Sequence, residues 1–437
     1  MTSPMPGARR QRQRLLLLAL ITIATLVNYL DRTVMSVAAP LIRGEFHIDP
    51  AIVGVVFSAF SFSYAFSQIP GGAFLDRYGI RLTYSLALFF WSGMTLLLGF
   101  ANGAIWLIVC LLMLGIFEAP CYPANSRILS NWFPQAERAS AMGVYSVGQY
   151  AGLALFSPLL FWITGAFGWR TLFLIVGAIG IAFSFVMYAA YRDPDKSRKV
   201  NQAELDHIAA GGGLGANIAP TRFSWATVRA LLRHRQIVGA SLGQFCSNST
   251  QVFFLTWFPT YLATERHMDW LKVGTAAILP YAAASIGVLS GGLFSDFLLR
   301  RTGSANLARK LPIVIGLLLA AAIVSANYVA DNSWVIIIMS VAFFGQGICN
   351  LGWTVIADIA PKNLAGLTGG VFNFCANLAG ILTPIVIGAL VKYTGSFFGG
   401  LAYIAVLALL GILCYVVVLG DIHRLEVDAG QAGGGNA

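Results

Sequence analysis

The sequence predicts an all-α membrane protein with twelve transmembrane helices arranged as two six-helix parallel repeats. Three observations support this fold: the composition, the number of long apolar runs, and the likeness between the two halves. Of the 437 residues, 57% are hydrophobic and 11% are charged, whereas soluble domains carry about 25% charged residues. With a mean hydropathy of +0.74, the composition excludes disordered chains, secreted disulfide scaffolds and ordinary cytosolic enzymes.

Apolar runs bounded by charged and turn residues place the twelve spans, each near the length of about 20 residues that a bilayer requires. Two bundles are expected, 15–190 and 236–419, joined by the polar linker 191–235 with its glycines 211–213 and flanked by tails 1–14 and 420–437. The expected spans are 15–40, 51–74, 82–101, 104–128, 139–163, 169–190, 236–262, 273–297, 311–330, 334–358, 366–391 and 397–419.

The positive charges predict the orientation. If both termini lie inside, 22 of the 28 lysines and arginines fall on the inner side, five fall on the outer side, and Arg32 lies within a span. This asymmetry predicts that the tails and the linker are cytoplasmic. The net charge of +10 therefore reflects membrane orientation, and no nucleic-acid partner is expected.

The cysteines and histidines give no sign of a metal or disulfide framework. All six cysteines fall in apolar segments without a CxxC spacing, and the five histidines are scattered singly in loops and tails. We therefore expect neither a metal site nor a cofactor.

The two halves carry related segments. GGAFLDRYGIR follows span 2 and GGLFSDFLLRR follows span 8, so that Asp76 and Asp296 are 220 residues apart, and Gly143 and Gly370 show a similar offset of 227. A parallel repeat of this kind is typical of transporters whose two bundles rock about a site near the membrane midplane.

The most specific short pattern is G-x-x-x-D-R-x-G-x-R between spans 2 and 3, formed by Gly72, Asp76, Arg77, Gly79 and Arg81. We expect Gly72 to let two helices approach closely. We expect Asp76 to cap a helix end or to pair with Arg77 or Arg81. The alternative is an ordinary solvated turn.

Four ionisable residues lie within spans, where a central charge costs about 2.5–3.5 kcal/mol on insertion scales. Asp31 and Arg32 are adjacent, so their side chains diverge by about 100° around the helix, and one of them should face a neighbouring helix or the cavity. The alternative for this pair is a purely structural ion pair. Asp358, close to Pro361, is expected to cap a helix at the membrane boundary.

Glu118 is the fourth of these residues. It lies in GIFEAPCYP, whose prolines interrupt the helical hydrogen bonds. A carboxylate at this break can take up and release a proton, and the alternative is a packed acid that stays protonated.

Polar and aromatic side chains accompany these charges at the same depth. Amides and phenols suit a polyhydroxylated ligand, because each hydroxyl both donates and accepts hydrogen bonds, and Arg32 suits a carboxylate. The alternative for each residue is a hydrogen bond between helices. The residues are Tyr29, Tyr64, Gln149, Gln244, Trp353 and Asn373, with Asn377 one turn after the last.

Several stretches together resemble the anion:cation symporter family of the major facilitator superfamily, in particular its galactonate:proton symporters and their glucarate and hexuronate relatives. The resemblance extends from about residue 12 to residue 424. Its most specific part is GIFEAPCYP followed by NWFPQAERA; the other stretches are VNYLDRTVMSVAAP, SQIPGGAFLDRYGIR, AELDHIAAGGG, FFLTWFPTYL and GLTGGVFNF.

The resemblance implies a role for each candidate residue. Asp31 and Glu118 match the proton-coupling carboxylates, and Arg32 matches the arginine that binds the substrate carboxylate. The six polar and aromatic residues named above match positions that line the substrate cavity, and the G-x-x-x-D-R-x-G-x-R motif matches the gate that latches the halves together. One departure is Leu111, where galactonate symporters carry an arginine.

From these patterns we expect a secondary transporter of the bacterial inner membrane, and no enzyme. It would import a sugar-acid anion such as galactonate together with protons, as a monomer in the lipid bilayer. Substrate alternatives are a dicarboxylate such as glucarate or galactarate, a hexuronate, or an aromatic carboxylate. Functional alternatives are an exporter of the same fold and a receptor that binds without transport.

Overall fold

The computed structural model describes residues 13–197, 199–210, 225–361 and 364–425, and most of these residues are helical. Three parts of the predicted organisation lie outside this range: the N-terminal arginines at 9, 10 and 12, the linker glycines 211–213, and the predicted tail beyond residue 425.

Within the described residues, ten helices are long and apolar enough to cross a membrane. Gly168 divides the helix that extends to Ala190 into two, and the more polar helix that begins at Arg235 completes the predicted twelve. We number them α1 (Gln13–Phe46), α2 (50–78), α3 (80–98), α4 (Ala104–Trp132), α5 (135–167), α6 (169–190), α7 (235–265), α8 (Trp270–Thr302), α9 (Ala305–Tyr328), α10 (Asn332–Ile359), α11 (Ala365–Thr394) and α12 (Phe398–Val418).

Two glycines with positive φ separate consecutive helices. Gly79, with φ 76°, ends α2, and Gly168, with φ 82°, ends α5. Residues with a Cβ rarely adopt this left-handed region, so glycine is the residue that permits an abrupt change of direction here. A proline does not end the first helix in this way, because α1 continues through Pro40 to Phe46. The prediction that span 1 ends at residue 40 was therefore too short.

An even number of helices brings the start of α1 and the end of α12 to one side, which we call the terminal side. There the linker helix Gln202–Ala210 docks on the first half. The buried carboxylate of Glu204 accepts hydrogen bonds from the backbone N–H groups of Gln13 and Arg14 at 3.2 and 3.3 Å. These donors lack partners within α1, so Glu204 caps that helix from a distant part of the sequence.

On the opposite side, the two halves meet with almost no space between α2 and α11. A Cβ at Gly54 would collide with the carbonyl oxygen of Pro384, and one at Gly388 would collide with the carbonyl of Pro50. Ser58 Oγ donates to the carbonyl of Ile381 at 2.7 Å. Small residues thus let the two backbones touch.

An ion pair also joins the halves, next to the α2–α11 contact and at its solvent-exposed end. Lys392 Nζ of α11 lies 3.1 Å from Asp49 Oδ2, just before α2. The pKa of Asp49 is lowered, first by a hydrogen bond from the Ile52 amide and then by Lys392. The carboxylate therefore stays ionised, and available to Lys392, when the surrounding solution becomes acidic.

A second contact between the halves, α5 against α8, closes the same side. Gly274 packs against the side chain of Phe161, and the rings of Phe161 and Trp270 lie 5.4 Å apart edge to face. The terminal side differs, because a Cβ at Gly143, Gly369 or Gly370 would meet no atom within 4 Å. The halves are thus sealed on the opposite side and separated on the terminal side.

We predict that Gly54→Ala weakens the seal and favours the conformation that is open on the opposite side. Overpacking of a close contact costs about 1–3 kcal/mol, which corresponds to a shift of roughly 5- to 150-fold between the two conformations. The measurement is the rate at which a thiol reagent labels Gly370→Cys in a variant without the six native cysteines, and this rate should fall.

Gly93→Ala is the matched control, because a Cβ at Gly93 meets open space and the residue lies away from this contact. Equal labelling rates in Gly54→Ala and Gly93→Ala would contradict the assigned role of the α2–α11 contact.

Candidate functional site

A cavity of about 1040 Å³ lies between the halves and extends to the terminal side. Met142, Gly370 and Arg424 line its terminal part. All nine predicted coupling and substrate residues line the same cavity: Tyr29, Asp31, Arg32, Tyr64, Glu118, Gln149, Gln244, Trp353 and Asn373. The structure therefore brings together residues that are up to 344 positions apart in the sequence.

The strongest electrostatic contact in the cavity is the ion pair between Arg32 of α1 and Glu118 of α4. Arg32 Nε donates to Glu118 Oε1 at 2.9 Å, and Arg32 Nη2 binds the same oxygen. Glu118 Oε2 is buried and has no hydrogen-bond partner among the described residues. Glu118 is 1% exposed and Arg32 20%, so the arginine is the partner that the cavity can reach.

Three aromatic rings surround the Arg32 guanidinium. Its Cζ atom lies 5.3 Å from the ring centre of Tyr29, 4.7 Å from Phe60 and 4.9 Å from Tyr64. The faces of these rings attract a cation, more strongly where water is excluded. They hold the guanidinium in place without occupying its N–H donors, which remain available to an oxygen ligand.

Asp31 has a different partner. Trp91 of α3, fully buried, donates its indole N–H to Asp31 Oδ2 at 2.7 Å. Asp31 Oδ1 is buried without a hydrogen-bond partner in the described ranges. The predicted divergence of Asp31 and Arg32 is confirmed, and the alternative of an ion pair between the two is wrong.

The second half supplies amides and an indole to the other wall. Asn373 Nδ2 donates to Gln68 Oε1 of α2 at 3.0 Å, which links the halves at mid-depth. Gln244 Oε1 accepts from the hydroxyl of Tyr415 at 3.2 Å. Asn377 Nδ2 donates to the Asn373 carbonyl at 2.8 Å, so the two asparagines share one face of α11 as predicted.

The motif after α2 makes its contacts within the first half, and two expectations about it were wrong. A Cβ at Gly72 would meet open space, whereas Gly71 packs against Pro120 of α4. Asp76 pairs with Arg127 of α4 at 2.6 Å and not with Arg77 or Arg81. Arg77 directly follows Asp76, and adjacent helical side chains point in different directions.

The other basic residues of the motif contact aromatic rings. The Arg77 guanidinium lies 5.5 Å from the ring centre of Tyr78. Beyond the break at Gly79, Arg81 lies 3.9 Å from the ring centre of Tyr188 in α6 and donates to the Tyr188 carbonyl at 2.9 Å. Asp76 and Arg81 therefore fix different neighbouring helices of the same half.

The related segment in the second half shows the same type of contact. Asp296, at the end of α8, lies 3.7 Å from Arg309 of α9, and Arg309 Nε lies 3.0 Å from Asp358 Oδ2. The expectation that Asp358 caps a helix was wrong. It lies at the end of α10, where carbonyl groups and not N–H groups lack partners, and it binds the arginine instead.

Sequence reasoning missed Trp91, Phe60 and Gln68, which hold Asp31, Arg32 and Asn373 respectively. For Trp91 a signal was present, because tryptophans of membrane helices concentrate at the interfaces and this one lies in the middle of a span. Phe60 and Gln68 gave no comparable signal, since only the packing of α2 against its neighbours selects them.

Comparisons with known proteins agree with this architecture. The sequence profile of the Major Facilitator Superfamily matches residues 21–384. A D-galactonate transporter of Escherichia coli O6:H1 is 44% identical over 430 residues, covering 97% of this chain and all of that protein. The probable galactarate/D-glucarate transporter GudP of Escherichia coli K12 is 43% identical, covering 97% of both chains.

Among solved structures, a bacterial homologue of the human lysosomal transporter Spinster, in an inward-facing and unoccupied conformation, superposes with a TM-score of 0.70. It covers 95% of this chain and 96% of its own, with 19% identity, so the likeness concerns the fold. The resemblance indicated by the sequence motifs is confirmed: the chain belongs to the major facilitator superfamily.

Proposed function

We propose that the protein imports a sugar-acid anion such as D-galactonate together with protons, by alternating access. The observation that carries this proposal is the Arg32–Glu118 ion pair in a cavity lined by amides and phenols. The names of the relatives, a D-galactonate transporter and galactarate/D-glucarate transporters, support the substrate class.

The ion pair couples the anion to a proton by competition for Arg32. While Glu118 is ionised it occupies the guanidinium, and a substrate carboxylate meets the negative charge of Glu118. A proton placed on the unpartnered Oε2 neutralises Glu118 and frees Arg32 to bind the carboxylate with two parallel hydrogen bonds. Each ligand thereby favours the binding of the other, as linkage requires.

Asp31 is the proposed second proton site. Its free Oδ1 can accept a proton while Trp91 keeps the other oxygen in place. Two protons and one monovalent anion move one net positive charge, which gains about 2.3 kcal/mol per 100 mV of membrane potential. An inside-negative potential would then drive accumulation of the acid in the cell.

Import also depends on orientation. We propose that the terminal side faces the cytoplasm in a bacterial inner membrane, since 22 of the 28 lysines and arginines are assigned to that side. In that orientation the cavity in the structure opens to the cytoplasm, and the α2–α11 contact closes the periplasmic side. We propose that the halves 15–190 and 236–419 rock about this site in a monomer, and that the motif from Gly72 to Arg81 contributes to gating.

The charges of the cavity favour a monocarboxylate over a dicarboxylate. Among the described lining residues the cations are Arg32 at mid-depth and Arg424 at the terminal mouth. A dicarboxylate bound at Arg32 would therefore place its second carboxylate among neutral side chains, without a cationic partner. Leu111, buried two turns before Glu118, adds no charge.

Glu118→Gln should abolish coupling while binding persists. The neutral amide resembles protonated Glu118, so Arg32 stays free without a proton on this residue, and binding of the anion at Arg32 no longer depends on protonation. In proteoliposomes the variant should exchange labelled D-galactonate across the membrane without accumulating it under an imposed proton gradient. Glu45→Gln, which alters an exposed ion pair with Arg170, is the control. Accumulation by Glu118→Gln would refute this role.

Arg32→Lys should weaken D-galactonate binding by at least about tenfold, because an ammonium group lacks the planar fork that holds both carboxylate oxygens. Equilibrium binding to purified protein measures the effect. Arg170→Lys makes the same replacement at an exposed ion pair and should leave the affinity unchanged. An unaltered affinity in Arg32→Lys would remove Arg32 from the substrate site.

A panel of acids tests whether the cavity prefers a monocarboxylate to a dicarboxylate. The protein should bind D-galactonate about tenfold or more tightly than galactarate, the corresponding dicarboxylate, since a carboxylate without a cationic partner costs at least about 1.5 kcal/mol. Leu111→Arg adds a cation and should narrow this ratio, whereas the volume-conserving Leu111→Met should not. A preference for galactarate in the unmodified protein would contradict the proposed substrate class.

A further inference from the structure

A second polar pair repeats the Arg32–Glu118 pair two helical turns closer to the terminal side. Thr25 lies seven residues before Arg32 on α1, and Asn125 lies seven residues after Glu118 on α4. Asn125 Nδ2 lies 3.4 Å from Thr25 Oγ1. Seven residues correspond to about 10 Å along a helix and to nearly the same face, so both pairs line one wall of the cavity.

The amide oxygen of Asn125 has no donor at hydrogen-bond distance among the described residues, and the phenols of Tyr84 and Tyr145 lie against the same side chain. Thr25 Oγ1 donates to the carbonyl of Ile21 at 2.8 Å, so it accepts from the amide nitrogen, and this orients the side chain of Asn125. The residue is 5% exposed, and its Oδ1 is buried without a partner in the described part of the chain. A buried acceptor of this kind costs about 1–3 kcal/mol unless a donor reaches it.

The surroundings of Asn125 restrict the ligand that can supply this donor. Tyr122 and Tyr145 line the same part of the cavity, with ring centres 6.1 Å apart. The charged lining residues of the described cavity are elsewhere: Asp31, Arg32, Glu118 and Arg424. A neutral hydroxyl fits this environment, whereas a carboxylate would have no donor there except the phenols.

We propose that Asn125 binds the terminal hydroxyl of a six-carbon sugar acid whose carboxylate is held at Arg32. This inference rests on the proposed function and adds a residue that recognises the end of the acid opposite its carboxylate. An extended six-carbon acid is about 8 Å long, from five carbon–carbon bonds of about 1.5 Å and its end oxygens. With a hydrogen bond of about 3 Å at each end, it can bridge the two levels of the wall, which lie about 10 Å apart along the helices.

The test compares D-galactonate with 6-deoxy-D-galactonate, which lacks only the terminal hydroxyl, by equilibrium binding to the full-length protein. The unmodified protein should bind D-galactonate about five- to tenfold more tightly, as expected for one hydrogen bond to a buried acceptor. In Asn125→Ala the ratio should fall to about one, because D-galactonate loses affinity and the deoxy acid does not. Asn125→Leu keeps the branched shape of the side chain without its polar atoms and should give the same ratio.

Two matched variants separate this role from a structural one. Thr25→Val removes the hydroxyl that orients Asn125 and should lower the ratio partly. Thr33→Val makes the same replacement on α1, where the hydroxyl bonds the carbonyl of Tyr29, and should leave the ratio unchanged.

Failure of the Asn125 assignment and failure of the proposed function would give different results. A ratio that persists in both Asn125 variants, or an equal loss of affinity for both acids, would overturn the assignment of Asn125 while D-galactonate binding itself stands. Failure of the unmodified protein to bind either acid would instead overturn the proposed function together with this inference.

Discussion

The site depends on one constraint: a guanidinium and a carboxylate that share a largely water-excluded position need each other. Removing either charge from water costs several kcal/mol even after relaxation, and an unpaired partner left behind is strongly destabilising. Arg32 and Glu118 meet this constraint by binding each other. In the proposed mechanism, a proton on Glu118 and an anion at Arg32 together replace the ion pair, so these two ligands are transported together.

The surroundings of the pair make that replacement possible. Aromatic faces at 4.7–5.3 Å stabilise the guanidinium without using its donors, and one oxygen of Glu118 stays free. Asp31, one residue away on α1, makes its hydrogen bond to the Trp91 indole and not to the pair. Two carboxylates at the same depth can therefore titrate in different environments, although they lie on neighbouring helices.

The cavity is closed on one side and open on the other because, in the part of the chain that the structure describes, the helix backbones of the two halves touch on the first side only. Gly54 and Gly388 face the carbonyls of Pro384 and Pro50, whereas Gly143 and Gly370 face open space. Since Gly143 and Gly370 are corresponding residues of the two halves, the separation on the terminal side involves equivalent positions. Glycines thus occur both in the tight contact and beside the open cavity, and the tilt of the two halves determines which side is closed.

Composition and apolar periodicity were enough to predict the twelve helices, because a bilayer permits few alternatives for a spanning chain. The site residues were identified for a related reason: charges and amides are costly in a span, so Asp31, Arg32 and Glu118 stand out. Their partners could not be predicted. Whether Arg32 binds Asp31 or Glu118, and Asp76 binds Arg81 or Arg127, depends on helix rotation and register, which a hydropathy pattern leaves open. The left-handed turn at Gly79 decides the second case.

The mid-depth charges of the described cavity, Asp31, Arg32 and Glu118, all belong to the first half, while the second half contributes neutral side chains such as Gln244, Trp353 and Asn373. This division has an evolutionary consequence. Under the proposed mechanism, mutations in the second half can change which pattern of hydroxyls the cavity accepts without altering the acidic residues that bind protons. Related proteins with different substrates can thus differ in the residues of one wall of the cavity and share those of the other.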